Sequence, residues 1–142
     1  MSQSATPSVQ RSFRLSARTM ELLDQRASEL SESRNALAER MLAEALRTER
    51  HPLIAFRTGG SGLRRPGLVG SRLYVWQVLS TLRGSESIAE AAEYFGLPEA
   101  YIQAAVDYYA DFKDEVDAYE ADELEYAERE RERWERAQRV LG

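Results

Sequence analysis

The sequence predicts a mainly helical fold with short β segments, and three observations carry that prediction. Apolar residues recur at three- and four-residue spacings along most of the 142-residue chain. Ser residues and a Gly96-Leu97-Pro98 turn cut those runs into short helices. Only Arg11–Ser16 and the two stretches flanking Thr58–Gly62 read as strands. The expected order is a dimerising strand with two helices, then a small β-hairpin with a helix-turn-helix, then a long C-terminal helix. The expected boundaries are a disordered start at 1–9, a first unit at 10–48, a second at 53–110 and a helical tail at 111–142.

Met1–Val9 is rich in Ser, Thr and Pro and is expected to be disordered in isolation. Arg11–Ser16 alternates, so Phe13 and Leu15 share one face while Gln10, Ser12 and Arg14 share the other. A lone strand is not stable, but two copies make a ribbon that fits the DNA major groove. Arg and Gln on its outer face can make bidentate contacts to purines, so Gln10, Ser12 and Arg14 are the candidate base-reading residues. Ser16 is a good N-cap for a helix over Ala17–Leu30, with Met20, Leu23, Ala27 and Leu30 on its apolar face. Ser33 caps a second helix, Arg34–Arg47, facing inward with Leu37, Met41, Leu42, Ala45 and Leu46. The free amides at its start make Ser33, Arg34 and Asn35 candidate phosphate contacts. Pro52 ends this region, and His51 beside it is expected to be a solvated linker residue.

Leu53–Arg57 and Leu63–Leu68 are the expected hairpin strands around the Gly-rich turn. That turn lacks a following Gly-Lys-Ser/Thr and helix, so it is a turn and not a phosphate cradle. Helices follow at Tyr74–Leu82, at about Glu86–Phe95 capped by Ser85 or Ser87, and at about Pro98–Ala110. The last buries Tyr101 or Ile102 with Ala105, Val106 and Tyr109. Two short helices joined by Gly-Leu-Pro read as a helix-turn-helix. Its helices carry Glu86, Glu90, Glu93, Glu99 and Asp107 and no base, so it is expected to be a dimerisation or partner-docking platform and not a DNA reader; exposed tyrosines among Tyr101, Tyr108 and Tyr109 would suit that, and core packing is the more common place for such tyrosines. Asp111–Gly142 is one candidate helix with a broken apolar stripe and supporting pairs Glu125–Arg129, Glu132–Arg136 and Glu135–Arg139. It is expected to be frayed when free and ordered on a partner, with Trp134 as an anchor.

Charge is unevenly distributed. Residues 1–50 hold eight Arg against seven acids, residues 51–85 hold five Arg and no acid, and residues 86–142 hold six bases against 17 acids. That asymmetry suggests two partners of opposite character, and Arg57, Arg64, Arg65 and Arg72 are expected to assist DNA contact. The chain has no Cys and one His, which excludes disulfides and thiolate sites and leaves no catalytic constellation. No enzyme activity, cofactor or metal is expected. No apolar run is long enough for a membrane span and no leader segment is evident, so a cytoplasmic protein is expected.

Strand, short helix, Ser-led turn and second helix over about residues 10–48 resemble the ribbon-helix-helix family of dimeric repressors and antitoxins. That resemblance implies base reading by Gln10, Ser12 and Arg14 and phosphate clamping by Ser33, Arg34 and Asn35. The run Gly70-Ser71-Arg72-Leu73-Tyr74-Val75-Trp76-Gln77-Val78-Leu79, with Gly84, Ile88-Ala89 and the Leu97–Ala110 helix, resembles the domain-of-unknown-function 433 family over about residues 51–112. Members are small antitoxin-like domains. Together the resemblances imply a type II antitoxin: a dimeric autorepressor on operator DNA whose C-terminal part inhibits a toxin. The partner they imply is a PIN-domain ribonuclease with a carboxylate cluster. Tyr126, Arg129, Arg131, Arg133, Trp134 and Arg136 are the candidate toxin-binding residues, and Arg139 is a further candidate to enter the cluster. The other reading is a stand-alone ribbon-helix-helix regulator whose tail serves oligomerisation.

Overall fold

Residues 7–142 are described by a computed structural model of the chain, and they divide after Arg50 into two units. Of the stretch expected to be disordered, residues 1–6 lie outside the described residues, and Pro7–Val9 is exposed and irregular.

The first unit is a helical hairpin. Helix α1 (Ala17–Leu30) starts where Ser16 Oγ accepts from Thr19 N–H at 3.1 Å. It stops at Ser31, which takes the left-handed conformation at φ 54°. A β-carbon makes that conformation unfavourable, so the tight turn is held against local strain. Ser33 Oγ then accepts from Ala36 N–H at 3.1 Å and opens helix α2 (Arg34–Arg50), three residues longer than the periodicity predicts. Only Ala27 and Leu37 are fully buried here, while Leu22, Met41, Leu42 and Leu46 are exposed. The expected strand Arg11–Ser16 does not form; the segment is irregular and Phe13 is 77% exposed. The correction has a simple cause. A strand exists only as part of a hydrogen-bonded ladder, and among the described residues of this single chain nothing pairs with it.

The second unit is built on an antiparallel hairpin of β1 (Ile54–Thr58) and β2 (Arg64–Leu68), in register Ile54 with Leu68 and Phe56 with Pro66. The turn closes through Gly59 N–H to Leu63 O at 3.1 Å, with Gly62 at φ +82°. Gly67 is needed for another reason. The Arg57 guanidinium lies across it, donating to Leu73 O at 2.8 Å and Leu68 O at 3.3 Å, and its cation rests on the Tyr74 ring.

Helix α3 (Val75–Arg83) follows Tyr74, whose N–H donates to Gln77 Oε1 at 2.9 Å. Helix α4 (Ile88–Phe95) is capped by Ser87 and ends at Gly96, φ 67°. Helix α5 (Glu99–Asp111) has Pro98 as its N-cap, one residue earlier than the N1 position expected for it. Phe112, at φ −132° and ψ 40°, breaks the chain before helix α6 (Lys113–Leu141). Ile54, Leu68, Val75, Val78, Ile102, Tyr108 and Val116 meet in one core. Ile102, not Tyr101, takes the fully buried position, and Tyr108 is core and not platform. The exposed aromatic of this helix-turn-helix is Tyr94.

Val116 corrects the reading of the tail as a partner-dependent segment. It is 1% exposed within the core, so the first half of α6 is part of the domain. An apolar side chain buried to that degree is worth roughly 1.5–3 kcal/mol, enough to fix the helix start.

Gly67→Ala should cost about 1–2 kcal/mol, because a Cβ there displaces the Arg57 guanidinium from two carbonyls. Urea unfolding reads this directly, and Gly70→Ala is not an adequate control because its φ is also positive, at +73°. Gly60→Ala, which meets open space, is the control.

Candidate nucleic-acid and partner interface

In the first unit, Gln10, Ser12 and Arg14 are all exposed on the irregular segment before α1. Of the expected phosphate contacts, Ser33 is the α2 cap and Asn35 is exposed. Arg34 is already engaged, since its Nε donates to Asp24 Oδ1 at 2.6 Å. That hydrogen bond raises the guanidinium pKa further. Beside these groups lies an open apolar groove of about 770 Å³, bounded by Phe13, Leu15, Leu22, Leu23, Met41 and Leu42. Of these, Phe13, Leu15, Leu23, Met41 and Leu42 are residues that the sequence places on apolar faces, and a single chain leaves the groove open.

In the second unit, the arginine-rich stretch does not stand free for an outside polyanion. Arg57 is tied into the hairpin, and Arg64 Nη2 donates to Phe56 O at 3.2 Å. Arg65 is only 6% exposed. Its Nε donates to Glu123 Oε1 at 3.0 Å, Asp122 lies 3.7 Å from Nη2, and the Tyr119 ring packs under the cation. Arg83 Nη1 donates to Glu120 Oε1 at 2.8 Å, and that hydrogen bond chiefly raises its pKa. Arg72 is the remaining exposed arginine of the four expected to assist DNA contact. Asp117, Glu120, Asp122 and Glu123 of α6 therefore neutralise Arg65 and Arg83 from within the same chain.

The turn is gripped by the same helix. Ser61 Oγ donates to Glu123 Oε1 at 2.8 Å, and Tyr126 OH donates to Gly60 O at 2.9 Å. Tyr126, expected on a toxin, is thus bonded to its own hairpin. At the base of the helix, Asp117 accepts from Lys113 Nζ and from Tyr109 OH, both at 2.8 Å. The Lys113 hydrogen bond is the main cause of a lowered Asp117 pKa, acting against partial burial. His51 also departs from expectation. It is 9% exposed, its ring packs on Tyr108 and Phe112, and its Nε2 lies 2.8 Å from Asp111 Oδ2. No local pattern marks His51 for burial, because its partners lie sixty residues away.

Past Ala127 the helix leaves the domain, with Arg129 still lining a small cavity beside Ser61, Leu63 and Arg65. Trp134 is 63% exposed, and Val140 and Leu141 are more so. Arg129 pairs with Glu125, Arg131 with Glu128 and Glu135, and Arg133 with Glu130, all within the helix. Glu125–Arg129 forms as expected. Arg131 takes Glu135 at 2.6 Å and so pre-empts the expected Glu135–Arg139 pair; Glu132–Arg136 does not form either. Arg136 and Arg139 make no ion pair among the described residues. The helical period also separates the expected toxin contacts. Arg129, Arg133 and Arg136 share one side, and Trp134 lies on the opposite side.

Residues 63–109 match the family described as protein of unknown function (DUF433). The matched third of the chain holds β2, α3, α4 and most of α5, and it does not reach the first unit or α6. No curated protein and no solved structure gives a significant match. Among the described residues no group of acidic or His side chains could hold a metal, and no helix is long and apolar enough to cross a membrane.

Glu123→Ala should destabilise the second unit by about 3 kcal/mol, since it leaves the buried Arg65 cation without its main partner. Replacing both with apolar residues, Arg65→Met with Glu123→Leu, should recover most of that loss in denaturant titration. Asp117 predicts a pH effect of known sign. A lowered folded pKa gives stability that is complete above the ordinary carboxyl value of about 4 and lost as pH falls through the folded value. Asp117→Asn should therefore cost a fraction of a kcal/mol at pH 7, discounted because the side chain is 38% exposed. The difference from wild type should vanish near pH ~2 in matched urea titrations.

Proposed function

We propose that the protein is a dimeric DNA-binding autorepressor and antitoxin. Its first unit pairs with a second copy and contacts operator DNA, and its C-terminal helix binds and inhibits a ribonuclease toxin. The observation that carries the reading is the uncovered groove of the first unit beside the exposed Gln10, Ser12 and Arg14. Two helices that bury only Ala27 and Leu37 do not make an adequate core. In the proposed dimer, Arg11–Ser16 of each chain forms one strand of a two-stranded ribbon. Phe13 and Leu15 then turn onto the helices, and Gln10, Ser12 and Arg14 turn to base edges. Ser33 and Asn35 at the α2 start would take a phosphate.

For the toxin, the exposed part of α6 is the arm. Arg129, Arg133 and Arg136 form its basic side, and an acidic ribonuclease site of the PIN-domain type is the surface such a side complements. Arg136 and Arg139 are the arginines without an intrahelical ion pair, which favours them as the charges delivered to that site. The DUF433 match names no activity and gives this assignment only family-level support.

Arg14→Ala should weaken binding to DNA from the protein's own promoter by about 1–3 kcal/mol and relax sequence preference. Mobility-shift titration on cognate and scrambled duplexes tests this; unchanged specificity rules the ribbon out. Removal of Ala127–Gly142 should leave DNA affinity near wild type and abolish toxin inhibition. The cut falls after Tyr126 because Glu120, Glu123 and Tyr126 belong to the folded unit. A truncated protein that still neutralises the toxin co-expressed with it would move the toxin site into the domain.

A further inference from the structure

One stripe runs the length of α6 at three- and four-residue steps: Val116, Tyr119, Glu123, Tyr126, then Glu130, Trp134, Ala137 and Leu141. Its first four members are an interface within the chain. Val116 is in the core, Tyr119 supports Arg65, Glu123 binds Arg65 and Ser61, and Tyr126 binds Gly60 O. The same stripe then continues past the edge of the domain with nothing beneath it. Trp134 is 63% and Leu141 80% exposed there.

We infer that this overhanging stripe is a contact with a second copy of the chain, in which two α6 arms cross antiparallel at Trp134. The occupant follows from charge. Residues 127–141 hold four Glu and five Arg in near alternation, so the arm as a whole selects neither an acidic nor a basic partner. It is complementary to itself. An antiparallel crossing at Trp134 brings Arg131, on one flank of the stripe, within one helical turn of the second copy's Glu135 on the same flank. These two already bond each other along the helix and can bridge without moving far. The side of the arm that carries Arg129, Arg133 and Arg136 stays outside the crossing.

With the first-unit dimer of the proposed function, on which this step rests, the crossing joins two dimers into a four-chain assembly.

Sedimentation of the full chain over a concentration series tests this. The variants are Trp134→Ala/Leu141→Ala, Leu42→Glu in the first-unit groove, and their combination. The stripe variant should sediment at half the wild-type mass, with unchanged circular dichroism because both side chains are exposed. The Leu42→Glu protein should remain at least a dimer, and the combination should be a monomer. A stripe variant of wild-type mass, or a monomeric Leu42→Glu protein, overturns the inference. A stripe variant of wild-type mass that no longer inhibits a toxin assigns the stripe to that toxin instead. If the groove does not self-associate, Leu42→Glu leaves the mass unchanged and the stripe variant alone falls to a monomer; the crossing then stands and the first-unit dimer falls.

Discussion

The buried Arg65–Glu123 pair is the constraint around which the second unit closes. Arg65 sits on β2, almost fully out of water, and a cation in that position is tolerated only if a carboxylate meets it. Glu123 supplies that carboxylate from 58 residues further along the chain. It also takes the Ser61 hydroxyl, so one side chain ties the turn, the strand and α6 together. Such a pair adds little net stability compared with an apolar replacement. What it supplies is register, because Glu123 reaches Arg65 only when Val116 is in the core and Tyr126 is over Gly60. The hairpin is thereby held against a helix that the family match does not include.

The first unit presents the opposite situation. Its caps and turn are well specified, with Ser16, Ser31 and Ser33 each fixing a helix end. Yet most of its apolar side chains remain in solvent. Local structure and burial are therefore satisfied at different levels: the former within one chain, the latter only with something placed over the groove. An isolated helical hairpin of this length is marginal by itself. Its surroundings must complete the core, which is why the dimer and not the strand is the centre of the functional proposal.

Much of the fold was legible because it rests on local signals. Ser16, Ser87 and Gly96 mark helix ends, and the spacing of Val75, Val78 and Leu79 marks a buried face; all of these are resolved within a few residues of chain. The boundaries differ by one or two residues in most elements, as fraying ends and caps make usual. The illegible features are those set by distance. Nothing near His51 announces Asp111 or Tyr108, and nothing in Arg64-Arg65 tells an exposed basic patch from a buried cation. The strand at Arg11–Ser16 fails for the same reason in reverse. Its alternation is real, but alternation gives no hydrogen-bond partner, and the ladder needs one.

Charge asymmetry is the instructive case. Five arginines and no acid in one segment, followed by an excess of acids, suggests two outside partners when read along the chain. In space, Asp117, Glu120, Asp122 and Glu123 lie against Arg65 and Arg83, so much of the asymmetry is cancelled inside one domain. Each such pair consumes a charge that could otherwise meet DNA or a protein. What remains for recognition is smaller and better defined: Arg14 and its neighbours before α1, Arg72 on the second unit, and the arm beyond Ala127. The arm differs from the rest of α6 because its charges balance locally, through pairs three and four residues apart. Local balance keeps it helical without a domain beneath it. That separates its two sides, one carrying Trp134 for the proposed crossing and one carrying Arg129, Arg133 and Arg136 for the proposed toxin contact, so that the two proposals do not compete for the same side chains.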